Sequence, residues 1–137
     1  MEKTDHKRSY NMSRIRSKNT KPEITLRSAL HKKGFRYRIH QKSLPGNPDI
    51  VLAKYKTVIF VHGCFWHLHQ GCREGRIPKS KTGYWEPKLL RNVERDVKNT
   101  AELVSQGWKV IIVWDCEIQA GVNKVISQVE RILSNQQ

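Results

Sequence analysis

The sequence has no apolar run approaching the roughly 20 residues that a membrane-spanning helix needs. Its first residues are polar and basic, without the apolar stretch of a secretory signal. No segment repeats, and no Pro- or Gly-rich stretch is long enough to separate two domains. Acidic residues are scarce, 12 Asp and Glu against 26 Lys and Arg. Cysteine is scarce too, and its three copies are an odd number that argues against a secreted disulfide framework. These absences exclude a repeat array, a helical membrane protein and an exported disulfide scaffold. The expectation is a soluble, cytoplasmic protein in which thiols beside histidines read as metal ligands.

What remains is one domain's worth of chain, 137 residues with a hydrophobic fraction of 37%, enough for a single thin core. The formal charge of +14 is uneven: residues 1–47 hold 13 basic and 3 acidic groups, a net +10, leaving +4 for the rest. Such an excess repels itself in a compact state and suits a polyanionic partner, nucleic acid before all others. A basic surface kept only for solubility is the blander alternative.

Residues 1–19, with isolated apolar positions at Met12 and Ile15, bury too little to order themselves and read as a mobile basic arm. A single domain follows over 20–137. Thr20-Lys21-Pro22-Glu23 has the capping-box pattern with proline in the first turn, and Gly34 ends the helix it opens. Ile24, Leu26, Ala29 and Leu30 form its apolar stripe. Phe35, Tyr37 and Ile39 alternate with Arg36, Arg38 and His40 as a half-buried strand, and Leu44 to Pro48 is a turn. Strands are predicted over Asp49–Leu52, Thr57–Val61 and Trp108–Trp114, the last two buried. A helix is predicted from about Trp85 to Gln106 on the stripe Leu89, Leu90, Val93, Val97, Ala101 and Val104. Val122, Val125, Ile126, Val129, Ile132 and Leu133 mark a final amphipathic helix. The order predicts an α/β domain with a central mixed sheet flanked by helices.

The densest chemistry runs from Val61 to Cys72, where three of six histidines and two of three cysteines fall within twelve residues. A structural zinc site takes four N or S ligands, and Cys64, His69, Cys72 and the distant Cys116 supply them. His62 and His67 are left for other work. The alternative is that the thiols are small buried hydrophobes.

Folding 49–52 and 57–61 as a hairpin about Tyr55 puts Asp49 opposite Val61, or opposite His62 after a one-residue shift. In either register a carboxylate meets the Val61–His62 peptide at one end of the sheet. Asp49 and a neighbouring carbonyl could hold a hard cation such as Mg2+, as phosphodiester hydrolysis requires. Plain readings compete here: Asp49 as a turn cap, Glu23 as a capping-box residue and Asp96 as a solvated helix charge.

From roughly Asn11 to Cys116 the chain resembles the very-short-patch-repair (Vsr) mismatch endonucleases. The stretches that carry the likeness are Leu44-Pro45-Gly46-Asn47-Pro48-Asp49, Val58 to His67, Asn92-Val93-Glu94-Arg95-Asp96, and Gly107 to Trp114. The resemblance implies a restriction-endonuclease-like fold, a structural zinc, and Mg2+-dependent nicking of one DNA strand 5′ of the thymine in a T·G mismatch. It implies Asp49 as metal-binding aspartate, with the Val61 carbonyl, and His67 as general base. His62 and Asp96 match a pair that hydrogen-bonds water at the metal, and Glu23 matches a helix glutamate near the site. Cys64, His69, Cys72 and Cys116 match the zinc ligands. Phe65, Trp66 and Trp85 match aromatic wedges, Met12 and Ile15 match arm residues on DNA, and Lys88 matches a mismatch-contacting lysine. Val61 stands where many members have threonine, and His69 and Cys72 are separated by two residues, one more than is usual. The implied partner is double-stranded DNA with a T·G mismatch, engaged by a monomer, with other mismatch-repair proteins as further partners. A non-catalytic zinc-stabilised binding module and a restriction-type nuclease of the same fold are the competing expectations.

Overall fold

The structure, a computed structural model, describes residues 20–134. The predicted arm with Met12 and Ile15 lies outside the described residues. Helix α1 spans Lys21–Lys32, with Thr20 as its N-cap accepting from the Glu23 N–H at 3.4 Å. Its end is a Schellman turn in which Phe35 N–H donates to Leu30 C=O and Gly34 N–H to His31 C=O. Gly34 has φ +96°, a conformation that only glycine adopts without strain.

Four strands follow: β1 Arg38–Ile39, β2 Ile50–Leu52, β3 Thr57–His62 and β4 Lys109–Trp114. They form one sheet in that order, antiparallel from β1 to β3 and parallel between β3 and β4. Helix α2, Thr82–Ser105, lies in the connection between the parallel strands; a short α3, Asp115–Ala120, and α4, Val122–Ser134, complete the chain. The mixed sheet flanked by helices is therefore as expected.

Alternation along the strands divides the core between two faces. Ile50, Leu52, Ile59, Ile111 and Val113 meet Leu26 and Leu30 of α1, Ile118 of α3 and Val125, Ile126, Val129 and Leu133 of α4. Val51, Val58 and Phe60 face the other way, onto Leu103 of α2. Each fully buried leucine contributes roughly 1.5–3 kcal/mol.

Four expectations need correction. The strand at 35–39 shortens to Arg38–Ile39 and both residues are exposed, although Phe35 and Tyr37 do pack on the core. Strand β4 is not buried throughout: it is a sheet edge, with Ile111 and Val113 inside and Lys109 and Ile112 outside. The hairpin pairs Ile50 with Ile59 and Leu52 with Thr57. Asp49 thus falls opposite Phe60, one residue from the expected register, because the turn holds four residues, with a 3-10 segment at Ala53–Tyr55 and left-handed Lys56.

Helix α2 begins a turn early and faces a different way. Its inward line is Leu89, Asn92, Asp96, Asn99 and Leu103, apolar and buried only at its ends. The predicted stripe is displaced around the helix, leaving Leu90, Val97 (66% exposed) and Val104 in solvent. A polar middle faces inward because it borders a cleft, not a core.

Candidate functional site

The cleft lies at the end of the sheet where β2 begins and β3 finishes. It measures about 970 Å³, and Asp49, Val61, His62, His67 and Asp96 all line it. Its geometry follows from a ladder that stops at proline. Continuing the β2–β3 register sets Val61 opposite Pro48. Residues of this hydrogen-bonded type exchange both N–H and C=O with the partner. Pro48 has no N–H to offer the Val61 carbonyl. The Val61 N–H goes instead to Asp49 Oδ2, at 2.7 Å. One turn of sequence thereby yields an anchored carboxylate beside a carbonyl without its ladder donor.

Burial, opposed by the Val61 N–H and reinforced by Glu23, pushes the Asp49 carboxyl up to about 7. A cation would reverse that penalty. Glu23 is 1% exposed and occupies a core-facing position of α1 in line with Leu26 and Leu30. Its Oε2 accepts from Arg27 Nη1 at 2.9 Å and lies 2.5 Å from His40 Nε2. Glu23, His40 and Asp49 bring their ligand atoms within 4.8 Å of one another.

Across the cleft, His67 Nδ1 is 2.5 Å from Asp96 Oδ2. This carboxylate fixes the ring orientation and, in the neutral ring, favours the tautomer with the proton on Nδ1 and the lone pair on Nε2. The His62 ring stacks on His67, centroids 3.8 Å apart and planes 5° from parallel. Burial, chiefly, and the neighbouring His67 lower His62 to about 4, so it is neutral at pH 7. His62 Nδ1 is buried without a hydrogen-bond partner among the described residues. Asn92 Nδ2 donates to the Trp66 carbonyl at 3.2 Å, tying α2 to the loop that bears His67.

That loop also carries the thiols. The ligand atoms of Cys64, His69, Cys72 and Cys116 lie within 4.8 Å of one another. Cys116 Sγ is 3.5 Å from His69 Nδ1. A tetrahedron with metal–S of ~2.3 Å and metal–N of ~2.1 Å has an S-to-N edge of ~3.6 Å, so the spacing fits a bound metal. Burial pushes the Cys64 thiol up to about 12 and raises Cys116, whereas a backbone N–H from Glu74 lowers Cys72. Three sulfurs this close carry negative charge together only around a cation. Gly75 permits the loop: a Cβ there would stand 2.1 Å from the His69 carbonyl oxygen. The His69 ring lies flat against Trp114, centroids 4.0 Å apart.

Phe65, Trp66 and Trp85 form an aromatic cluster, edge to face at 5.2–6.0 Å, half-buried rather than in the core. Lys88 is exposed beside it, its ammonium 5.4 Å from the ring centre of Tyr84, which meets Trp85 edge-on. The predicted residues that the structure describes thus gather into a carboxylate–histidine cleft, a Cys/His cluster and an aromatic patch. Sequence reasoning missed His40 and Trp114. Pairing Ile39 with Ile50 puts His40 opposite Asp49, a register the hairpin alone did not supply. Trp114 reads as a core aromatic, yet it stacks on His69 and meets His62 edge-on at 5.2 Å.

An α/β domain with a candidate metal cleft at the end of its sheet, beside a Cys/His cluster, is the class these features define. The chain belongs to the Vsr family: the family described as DNA mismatch endonuclease Vsr matches residues 2–73, and similar proteins cover far more. It is 53% identical over 112 residues to the type II nicking enzyme V.XorIIP of Xanthomonas oryzae pv. oryzae, covering 82% of each chain. It is 54% identical over 123 residues to the type II nicking enzyme V.NmeAIP of Neisseria meningitidis, covering 90% of this chain and 85% of that one. The DNA mismatch endonuclease Vsr of Escherichia coli K12 is 43% identical over 112 residues, 82% of this chain and 71% of that protein. No helix among the described residues is long and apolar enough to cross a membrane.

Proposed function

We propose that the protein is a DNA endonuclease that nicks one strand of a duplex on the 5′ side of the thymine in a T·G mismatch. The observation that carries this reading is the convergence, in one cleft, of Asp49 anchored at Val61 with a His67 oriented by Asp96. Asp49 and the Val61 carbonyl would hold Mg2+, whose chemistry is to offset negative charge gathering on the phosphate. His67 Nε2 accepts a proton from the attacking water, and Asp96 stabilises the imidazolium that results. A new P–O bond forms as the bond to the leaving sugar oxygen breaks and that oxygen takes up a proton. His62, neutral and stacked on His67, keeps the base in plane and offers a second nitrogen to water in the cleft. Glu23 supports Asp49 from behind.

Cys64, His69, Cys72 and Cys116 would hold a structural zinc that folds a loop with little core of its own. Phe65, Trp66 and Trp85 probe the base stack, where unstacking costs least at a mispair. Lys88 and the arm residues Met12 and Ile15 add contacts to DNA. A monomer suffices to cut one strand, in the cytoplasm, with other mismatch-repair proteins following the nick.

The test is incubation of purified protein and Asp49→Ala with Mg2+ and duplexes that differ only in one T·G pair. Nicking of the mismatched duplex by the wild type alone is expected. Equal cutting of matched DNA would make this a restriction-type nuclease, and binding without cutting would make it a non-catalytic module.

A further inference from the structure

His40 has no role in the reading above, yet three features mark it. Its backbone is left-handed, φ +48°, a conformation uncommon outside glycine. Its N–H donates to the Asp49 carbonyl at 3.4 Å, extending the β1–β2 ladder to the residue that starts the cleft. Its imidazole Nε2 lies 2.5 Å from Glu23 Oε2, the oxygen that Arg27 also holds. Strained backbone persists where its surroundings over-determine it, and such sites cluster at functional centres. His40 stands just past the exposed edge strand β1, at the point where the chain reaches the lining of the cleft.

We propose that His40 is a positioning residue: together with Arg27 it fixes the Glu23 carboxylate against Asp49, and so sets the arrangement in which Asp49 holds a divalent cation. Two carboxyl groups with ligand atoms this close repel unless each is held in place. Two donors on one Glu23 oxygen tether that group where a cation can be shared with Asp49. Against an ionised carboxylate the short contact requires an N–H at Nε2. An amide donor of similar reach would serve the same purpose. Arg27 on the same oxygen argues that His40 orients Glu23 rather than itself binding the cation. The inference rests on the assignment of Asp49 to the metal.

Mn2+, a spectroscopic stand-in for Mg2+, is titrated into DNA-free full-length protein and followed by electron paramagnetic resonance, alongside nicking kinetics and thermal unfolding. Glycine suits a left-handed backbone, so His40→Gly relaxes the chain while deleting the ring. Its Mn2+ affinity and kcat are expected to fall ~10-fold or more, with KM for DNA unchanged and Tm not lowered. His40→Gln is expected to restore both to within about threefold, as the loss of an orienting hydrogen bond predicts. Wild-type Mn2+ binding and nicking in His40→Gly would overturn the proposal. So would His40→Gln no better than His40→Gly, which would make the imidazole itself a ligand, or a parallel loss of Tm in both variants, which would make the residue structural. Unimpaired nicking by Asp49→Ala would instead bring down the metal assignment beneath it.

Discussion

Replacing Asp49 by asparagine should make the metal-free protein more stable while removing its response to Mg2+. The carboxyl rises from 3.8 to about 7 in the fold. At ~1.4 kcal/mol per tenfold change in proton affinity, its ionised form costs up to ~4 kcal/mol above pH 7. Asparagine avoids that cost and loses little in return. Its carbonyl can accept from Val61 N–H, and its amide can donate toward Glu23. The folded state holds the proton more tightly than the unfolded chain between pH 4 and 7, so this group's contribution falls as pH rises through that window and is flat above it. His62, lowered to about 4, works the other way: its contribution rises from about pH 4 to 6.5. Since both proteins keep His62, the difference between them isolates Asp49. Thermal unfolding of each protein is compared from pH 4 to 8 in resin-treated, chelator-free buffer, which leaves the Cys/His cluster alone. We expect equal stability near pH 4 and an advantage for Asp49→Asn of ~2–4 kcal/mol at pH 8, or ~10 °C in Tm. Millimolar Mg2+ should then stabilise only the wild type. A variant less stable than wild type at pH 8, or a gap that does not change with pH, would refute the account of Asp49 as a buried charge awaiting a cation.

Two further outcomes follow from the loop and the aromatic patch. Gly75→Ala should lose bound zinc and ~3 kcal/mol or more of stability, because the new methyl meets the His69 backbone at 2.1–2.8 Å, whereas Gly83→Ala in open space should be neutral or better. Metal analysis and Tm check this, and a full zinc complement in Gly75→Ala would contradict it. Trp66→Ala should weaken binding to a T·G duplex ~10-fold while barely altering matched DNA, because base–aromatic stacking is worth ~1–3 kcal/mol. Equal losses on the two duplexes in a fluorescence titration would show that the ring does not read the mispair.

Much of this arrangement was legible in the residues. Thr20, Pro22 and Gly34 marked the ends of α1, and the apolar run from Val58 to Val61 marked the central strand, because local rules act there unaided. The four Cys/His positions were legible from ligand chemistry, and the structure brings them within 4.8 Å of one another. Failures came where tertiary context overrode periodicity. Helix α2 carries an apolar line through Leu90, Val97 and Val104 and a partly polar one through Asn92, Asp96 and Asn99, and hydrophobicity favours the wrong face. Glu23 could have been recognised as more than a cap, since it occupies the core-facing line of α1 with Leu26 and Leu30. His40 was hidden because its meaning depends on pairing across a ten-residue connection between β1 and β2 that no local pattern specifies.

His62, Gly63 and Cys64 are consecutive, and His67 and His69 are separated by a single residue, so the cleft and the Cys/His cluster alternate along one short thread. Neither apolar core cluster includes any of these groups, although His62 ends β3. On the function proposed above, emptying the cluster is expected to release His67 from the cleft before the sheet core gives way.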